Sequence, residues 1–436
     1  MSTGLAIAIG LIILLVCLAL GVNVGLALMF SGFIGYGLVA GFPTAVNVLG
    51  VAAHANATNY TLSVVPMFIL MGNYAFYSGI SGDLYQSGSK WLNWLPGGLA
   101  CGTTASCALF GAICGSAQAT AATMGTVSIP QMRKYGYADK LSAGVVAAGG
   151  PLGFLIPPSS SMILYAAVAE ESIGALFISG LIPGIILAII FIITIVLWVK
   201  KNPSLAPGKE KVTWMERLKA LKGFIGAIVL FGVVIGGMMA GWFTTNEAAG
   251  VGCFICLIIM IINHKFNGKN IKEAIRLSVN AFGMSFLVIV GAGIFGYFIT
   301  VSGLPALLSG FVAGLNVSRY VILAGIIVIY IFLGCIMDGT AITLLTVPIF
   351  LPMLMSLGFG KIWFGVILTL VCSLGQITPP VGLCAYVISG VAKVRLEEVF
   401  KGCMPFLFGY LAIIILVTIF PALTTWLPGQ FYMIGG

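Results

Sequence analysis

Charged side chains are scarce in this sequence. Of its 436 residues, 20 are Lys or Arg and 11 are Asp or Glu, so charges make up 7% of the chain, whereas 60% is hydrophobic. A soluble protein of 45.6 kDa needs many more charges to cover its surface. This shortage excludes a soluble enzyme, a disordered chain and a nucleic-acid-binding protein. Together with a mean hydropathy of +1.15, it predicts a polytopic membrane protein.

Groups that carry enzyme or metal chemistry are also rare. The chain has two histidines, His54 and His264, and neither has plausible catalytic or metal-binding partners nearby in the sequence. The CxxC at Cys253 and Cys256 lies in an apolar run without a second pair, so we interpret it as packing and not as a metal or redox site. The sequence contains no nucleotide-binding P-loop, which excludes direct ATP coupling within this chain. These features favour a transport protein over an intramembrane enzyme.

Apolar runs of about 20 residues, long enough to cross a bilayer, recur along both halves of the chain. In the first half they cover residues 4–21, 24–41, 61–80, 141–169 and 176–199. In the second half they cover residues 223–241, 243–263, 280–301, 363–392 and 405–427. Each half also has one long apolar stretch that is interrupted in its middle, 97–131 and 320–357, which we interpret as a re-entrant hairpin. The predicted fold is an all-α polytopic membrane protein with five full spans and one hairpin in each half.

The basic residues predict an orientation for these spans. Residues 200–222 form a strongly polar, basic linker, which we place in the cytoplasm. The hairpin assignment then puts 18 of the 20 Lys and Arg residues on the same side, and only Arg319 and Lys361 fall outside. Cytoplasmic loops of membrane proteins carry such an excess of basic residues. Both termini are therefore predicted to lie outside the cytoplasm.

Five spans in each half mean that the second half enters the membrane upside-down relative to the first. A shift of 222 residues aligns helix breakers of the two halves, so that Pro157-Pro158 meets Pro379-Pro380 and Gly153 meets Gly375. Chance similarity between apolar runs does not favour aligned Gly and Pro. We therefore predict two inverted-topology repeats, 1–199 and 223–436, joined by the basic linker.

The Pro-Pro pairs interrupt one predicted span of each repeat, 141–169 and 363–392. Two prolines remove two backbone donors and disfavour helix at the preceding residue, so the helix must unwind within the membrane. Freed backbone groups are tolerated at that depth only inside protein or beside a polar cavity. One such break is more often a structural kink, but two at equivalent repeat positions favour a functional site.

The predicted hairpin tips, 114–123 and 336–346, combine small residues with oxygen-bearing side chains. Asp338 matters most, because a carboxylate near the bilayer centre costs about 2.5–3.5 kcal/mol on the insertion scale and needs a cation, a proton or a buried partner. Oxygen ligands suit an alkali cation, and free amides at half-helix N-termini suit an anionic group.

Glu247 lies at the end of its span, where a capping or interfacial role is favoured over a role in ion coupling. Glu170-Glu171 and Glu397-Glu398 are expected to be solvated in loops.

Four segments together resemble the large membrane subunit of the tripartite ATP-independent periplasmic (TRAP) transporters. They are MRKYGYADKLSAGVVAAGGPLGFLIPPSSSMILYA, SIGALFISGLIPG, MDGTAITLLTVPIFLPMLMSLGFG and QITPPVGLCAYVISGVAKVRLEEVFKGCMPF. The resemblance runs over most of the chain and looks closer to the sialic acid branch. The PPSSSM run departs from the family's more usual PPS followed by apolar residues, which leaves the substrate open.

The resemblance implies sodium-driven import of a carboxylate-bearing solute, commonly a sialic acid or a C4-dicarboxylate, across the bacterial inner membrane. A periplasmic binding protein would deliver the substrate, and a small four-span membrane subunit, here expected to be a separate chain, would brace the large one. The implied fold moves as an elevator. The hairpins and broken helices would form the mobile transport domain, and the early spans, 4–80 and 223–301, would form the scaffold.

The resemblance also implies at least two sodium sites and a substrate site between the tips. The first sodium site would comprise Gly115, Ser116, Gly153, Pro157, Pro158 and Ser159. The second sodium site would comprise Asp338, Gly339, Thr340, Gly375, Thr378 and Pro379. The substrate residues would be Ser116, Gln118, Thr120, Ser160, Asp338, Thr340 and Thr378. Neither an organic cofactor nor a nucleic acid is expected.

One alternative is a stand-alone sodium/anion symporter of the same architecture that needs no binding protein. A channel is disfavoured, because two closed hairpin sites indicate occlusion and not a continuous pore.

Overall fold

A computed structural model describes residues 2–208, 212–314 and 317–431. Within these segments every regular element is a helix. Eight helices are long and apolar enough to cross a membrane, and a bent pair makes a ninth. The predicted all-α polytopic fold is therefore confirmed.

Eleven helices precede the linker and twelve follow it or lie within it. The first half contains α1 (Thr3–Ala19), α2 (Val24–Ala40), α3 (Phe42–Ala57), α4 (Val64–Ser78), α5 (Ile80–Leu92), α6 (Gly98–Cys114), α7 (Ala117–Lys134), α8 (Asp139–Gly149), α9 (Leu152–Leu155), α10 (Ser160–Ala169) and α11 (Ile173–Lys201). The second half contains α12 (Trp214–Ala220), α13 (Lys222–Phe231), α14 (Gly237–Met239), α15 (Thr245–Ile262), α16 (Gly268–Val301), α17 (Leu304–Ala313), α18 (Arg319–Ile336), α19 (Gly339–Ser356), α20 (Lys361–Gly375), α21 (Leu383–Ala392), α22 (Leu396–Ile419) and α23 (Ala422–Phe431). The ends of α6 and α18, and both ends of α7 and α19, are 222 residues apart, which is the offset that aligns the two sequence halves.

Both interrupted stretches turn back on themselves. The backbone N–H of Leu99, at the start of α6, donates to the Tyr137 hydroxyl at 3.3 Å, just beyond the end of α7. The Arg319 guanidinium, at the start of α18, donates to the carbonyl of Leu357 at 3.5 Å, just beyond α19. Because the two ends of each stretch meet, α6 and α7 form a first hairpin, and α18 and α19 form a second.

Each Pro-Pro motif separates two half-helices. In the first repeat, helix stops at Leu155 and resumes at Ser160 as α10. In the second repeat, helix stops at Gly375 and resumes at Leu383 as α21. The first broken span is the most enclosed of the long apolar helices, with 83% of its most apolar window buried in protein. The unwound backbone of the first break therefore lies inside the molecule, as the cost of exposing it to lipid requires. At the second break Pro379, Pro380 and Val381 are exposed.

The two halves are packed through backbone-to-backbone contact. A Cβ placed on Gly25 or Gly32 of α2 would lie 2.7 Å or 2.6 Å from backbone atoms of α16. A Cβ on Gly291 of α16 would lie 2.1 Å from the carbonyl oxygen of Gly25. Small residues allow such close crossings in membrane proteins. Helices α4 and α15 form the corresponding contact between the halves.

The structure corrects several predicted boundaries. Helices α3, α5, α12 and α17 were not predicted, because they are short or polar on one face and lack the long apolar run that marks a span. The predicted span 405–427 is present, but its bounds are wrong. Helix α22 covers Leu396–Ile419, and α23 begins after Pro421, which has no backbone N–H to continue the helix. Helix α16 begins at Gly268, twelve residues before the predicted start at residue 280. The prediction missed these first turns because they carry charged residues and fall outside the apolar run.

The first residues of the linker, predicted only as a polar connection, are packed against the protein. The backbone N–H of Ala138 donates to the carbonyl of Leu205 at 2.9 Å, and Leu205 is buried. A Cβ on Gly208 would lie 2.2 Å from the carbonyl oxygen of Tyr135. The start of the linker is therefore packed against the loop between α7 and α8.

Candidate transport site

The tips of the two hairpins touch each other. The side-chain amide of Gln118, at the start of α7, donates from Nε2 to Oδ1 of Asp338 at 2.7 Å. Asp338 is also the N-cap of α19, and its Oδ2 accepts from the backbone N–H of Thr340 at 3.1 Å and from the Thr340 hydroxyl. The buried partner expected for Asp338 is therefore an amide from the opposite repeat, and the carboxylate stabilises the start of its own helix.

The first tip is joined to the first helix break. The carbonyl of Gly115 accepts from the backbone N–H of Ser160 at 3.3 Å and from its hydroxyl at 2.8 Å. Gly115 has φ +63°, and a Cβ there would lie 2.8 Å from the carbonyl oxygen of Pro158, so the tip requires glycine. Ser116 caps α7, and the fully buried Ser159 caps α10. Four of the residues expected in the first sodium site, Gly115, Ser116, Pro158 and Ser159, thus lie in one place.

The second tip is joined to the second helix break in a similar way. The backbone N–H of Gly382 donates to the carbonyl of Cys335 at 3.1 Å. Gly375 lies against the first arm of the second hairpin, because a Cβ on it would be 2.5 Å from the Cα of Gly334. Gly153 lies in the same relation to Gly111, where a Cβ would be 2.8 Å from that Cα. These two predicted site glycines are therefore required for backbone packing.

Two residues beside the second tip were not predicted. Gln376 is fully buried; its Oε1 accepts from the Cys384 thiol at 3.1 Å, while its Nε2 has no acceptor among the described residues. The ring of Phe154, from the first break, would lie 2.9 Å from a Cβ on Gly339. Gln376 could have been found as a polar residue beside Pro379-Pro380, but the position of Phe154 depends on how the two repeats pack.

A cavity of about 360 Å³ lies between the hairpin tips, the first break and two early helices. Five of the predicted substrate residues line it: Ser116, Gln118, Ser160, Asp338 and Thr340. Two do not. Thr120 is fully buried beneath the first tip, and the Thr378 hydroxyl donates to the carbonyl of Leu374 at 2.7 Å, away from the lining.

The opposite wall of the cavity was not predicted. Helix α4 contributes Asn73, and α16 contributes Leu277, Ala281 and Ser285. The Asn73 amide donates to the Ser278 hydroxyl at 3.0 Å, which ties α4 to α16. Polar residues within apolar runs were the available signal, but only packing shows that these helices face the tips.

The cavity combines one carboxylate with several helix N-termini. Among the described residues that line it, Asp338 is the one charged side chain. Helices α7, α10 and α19 begin beside it at Ser116, Ser159 and Asp338. Helix N-termini carry partial positive charge and free N–H groups. The arrangement therefore offers oxygen ligands to a cation and amide and hydroxyl donors to an anion.

The cavity opens towards the first half of α16. A second recess of about 320 Å³ shares Gln118, Asp338 and Thr340 with it and extends along α16 past Met284. Leu277 and Met284 are exposed, whereas Phe295 and Phe298, nearer the other end of α16, are buried. The α16 residues that line the cavity, Leu277, Ala281 and Ser285, thus lie in the half of this helix that begins with the basic segment around Lys269.

Two acids outside the cavity have structural partners. Glu247 forms a capping box at the start of α15, where its carboxylate accepts from the N–H and the hydroxyl of Thr244, both at 2.8 Å, which confirms the predicted capping role. Glu171 was predicted to be solvated, but it lies 3.7 Å from the ammonium of Lys361, which also donates to the carbonyl of Ala169 at 3.0 Å. Lys361 thus joins the end of α10 to the start of α20.

An all-helical polytopic chain in which two hairpin tips and a broken helix meet at a cavity within the protein has the architecture of a secondary transporter. The family model described as "Tripartite ATP-independent periplasmic transporter, DctM component" matches residues 11–423. The chain belongs to this family. It is a multi-pass membrane protein of a bacterial TRAP transporter and a transport protein rather than an enzyme.

Relatives with different substrates in their names are about equally similar to this chain. The C4-dicarboxylate TRAP transporter large permease protein DctM of Pseudomonas aeruginosa is 32% identical over 389 residues, covering 88% of this chain and 90% of that protein. The sialic acid TRAP transporter large permease protein SiaM of Vibrio cholerae is 29% identical, covering 94% of this chain and 96% of that protein. The isethionate TRAP transporter permease protein DctMQ of Oleidesulfovibrio alaskensis is 30% identical, covering 95% of this chain and 65% of that protein.

Two solved transporters share the fold. The Alcanivorax borkumensis YdaH transporter superposes with a TM-score of 0.63 at 16% identity, over 89% of this chain and 90% of that one. Neisseria gonorrhoeae MtrF superposes with a TM-score of 0.53 at 17% identity, over 86% and 84%. At these identities the likeness concerns architecture alone.

Proposed function

We propose that this chain is the transport subunit of a TRAP system that imports an organic acid anion in symport with sodium. The observation that carries this proposal is the 2.7 Å contact between Gln118 and Asp338, since it puts a carboxylate from one repeat and a polar tip from the other on the wall of one cavity. The small membrane subunit and the periplasmic binding protein would be its partners in the inner membrane.

Asp338 would supply the negative charge that attracts the cation. Its carboxylate offers about four acceptor positions, and Gln118 and Thr340 occupy three of them. The oxygen-rich surroundings of both tips suit a hard cation such as sodium. We assign one sodium to each contact between a tip and a break, with the residues given above for the two sites.

Coupling of anion binding to sodium binding would follow from the charges in the cavity. A substrate carboxylate about 6 Å from Asp338 would be repelled by about 3 kcal/mol at an effective dielectric constant near 20. A sodium ion beside Asp338 removes most of this repulsion, which corresponds to roughly a hundredfold gain in anion affinity. The side-chain amide of Gln118 and the hydroxyl of Ser160, both on the cavity wall, would then hold the anion.

Movement of the tips past the early helices would complete the transport cycle. The hairpin tips and the first broken helix form one wall of the cavity, and α4 and α16 form the other. We propose that the first group moves as an elevator against the second. With the predicted topology, the half of α16 that lines the cavity would lie towards the cytoplasm, so the described conformation would be the one that releases substrate.

Asp338→Asn tests the proposal, because Asn keeps the cap of α19 and an oxygen for Gln118 while removing the charge. In proteoliposomes with the small subunit and the binding protein, we expect sodium-driven uptake of sialic acid or a C4-dicarboxylate to be lost in this variant. Glu247→Gln removes an exposed capping acid and should retain uptake. Unchanged uptake by Asp338→Asn would remove Asp338 from the mechanism, and uptake without the binding protein would favour a stand-alone symporter.

A further inference from the structure

Two adjoining cavities beside α5 share one lysine, Lys90. The larger, about 340 Å³, lies between α5 and the first hairpin, where Lys90 is accompanied by Gln86, Ser89 and Gln131. The smaller, about 190 Å³, lies between α5 and the start of the second half, where Lys90 and Gln86 are joined by Lys219. Two ammonium groups thus border this pair of adjoining cavities, which we call the recess, and the Asp83 carboxylate lines the smaller of the two.

Lys90 has no acid within ion-pair distance among the residues that the structure describes. It is half-buried, and it forms no ion pair within residues 2–208, 212–314 and 317–431. Two acids lie nearby: Asp83 lines the smaller cavity together with Lys90, and Glu216 lies on α12. The Asp83 carboxylate accepts from Asn263 at 3.5 Å, and the Glu216 carboxylate accepts from the N–H and hydroxyl of Thr213 at 2.8 and 2.9 Å. A half-buried cation without a partner is costly unless an anion approaches it.

Tryptophans place this recess at the depth of lipid headgroups. The rings of Trp91 and Trp214 are in contact, with centroids 6.4 Å apart. Trp214 is 67% exposed, and Trp94, two residues after the end of α5, is 63% exposed. Exposed tryptophans collect at the membrane–water interface of membrane proteins. Lys90 precedes Trp91 directly, so its ammonium lies near the level of lipid phosphates.

The outer face of α12 indicates that a lipid, and not a free ion, occupies the recess. Met215, Leu218 and Leu221 are exposed apolar residues on or just after this helix, while Lys219 borders the recess. Helix α12 begins a candidate membrane span that runs on to Met239, and lysines near the end of a span extend to the headgroup level. Acyl chains would contact the apolar residues while the headgroup meets the lysines.

We propose that this recess binds the phosphate of an anionic phospholipid headgroup. Lys90 and Lys219 would pair with the phosphate oxygens as point charges, and the side-chain amide of Gln86 would donate to them. Basic pockets between membrane helices on the cytoplasmic side bind anionic headgroups by the same chemistry. The site is separate from the transport cavity and does not depend on the proposed sodium coupling.

The test compares lipid effects on charge-matched variants of the assembled transporter in detergent. Lys90→Gln combined with Lys219→Gln removes both ammonium groups. The control, Lys269→Gln with Lys272→Gln, removes two exposed lysines from the start of α16 on the same predicted side. Thermal unfolding is followed with short-chain phosphatidylglycerol, with phosphatidylcholine of the same chain length, and with inorganic phosphate.

We expect phosphatidylglycerol to raise the unfolding midpoint of the wild type and of the control, and the shift to be lost in the recess variant. An equal shift in the recess variant, or an equal effect of phosphatidylcholine, would overturn the site. A full shift with inorganic phosphate alone would overturn the lipid assignment. If the double variant does not fold, Lys219→Gln alone should weaken the response and Lys90→Arg should preserve it.

Discussion

A methyl group added to Gly375 would press directly on the backbone of the second hairpin. A Cβ at this position would lie 2.5 Å from the Cα and carbonyl carbon of Gly334 and 3.0 Å from the amide nitrogen of Cys335. Carbon atoms in contact prefer about 3.5 Å, so α18 would have to retreat by about 1 Å. No rotamer change can relieve this overlap, because both partners are main-chain atoms.

The cost of Gly375→Ala should appear in both stability and transport. Overpacking of this kind costs about 1–3 kcal/mol. Displacement of α18 also moves Asp338, which follows this helix by two residues. Because 1.4 kcal/mol corresponds to a tenfold change in affinity, we expect uptake at limiting substrate to fall about tenfold or more, with a lower midpoint of thermal unfolding.

Gly390→Ala is the matched control for this substitution. Gly390 lies in α21, in the same broken span, and nothing lies within 4 Å of a Cβ placed there. Alanine in a helix is favoured over glycine by about 1 kcal/mol, so this variant should be as stable as the wild type or more so and should transport normally. If Gly375→Ala behaved like Gly390→Ala in both assays, the close approach of α18 and α20 would be refuted as a constraint on the site.

Two further predictions concern orientation and the end of α10. Ser204→Cys, at an exposed linker position, should react with an impermeant maleimide only from the cytoplasmic side. Reaction in right-side-out vesicles would invert the predicted topology. Gly208 is unsuitable for this test, because a Cβ there would overlap the carbonyl oxygen of Tyr135. Lys361→Met removes the ammonium that contacts Ala169 and Glu171 and should lower stability by about 1–2 kcal/mol. Lys269→Met, an exposed lysine on α16, serves as its control, and equal unfolding midpoints would contradict the role of Lys361.

The sequence by itself determined the fold class and the location of the helix breaks. Hydropathy alone requires a polytopic helical protein, because apolar runs of this length can form all their backbone hydrogen bonds in a membrane only as helices. The Pro-Pro pairs at 157–158 and 379–380 interrupt their spans for a local steric reason that needs no tertiary context. Asp338 was identifiable for a similar reason, since a carboxylate in an apolar run is costly wherever the chain packs.

Amphipathic and interfacial helices were harder to predict. Helix α5 buries one face against protein and is polar on the other, and α12 is short, charged and has no buried residue. Helix α5 follows α4 after a bend of 66° at Gly79, where φ is +88°. A glycine in sequence does not reveal that its backbone adopts this conformation, so the direction of α5 depends on the elements it contacts.

Only the tertiary structure decided which predicted residues meet. Gln118 and Asp338 are 220 residues apart in sequence, and their contact depends on how the two repeats interlock. The same packing buries Thr120, turns Thr378 away from the cavity and brings Asn73 and Ser285 to its opposite wall. Sequence periodicity reports which residues prefer apolar surroundings, whereas a binding site is defined by distances between elements that are remote in the chain. Those distances are set by close-packed contacts such as that between Gly375 and Gly334, which no local pattern encodes.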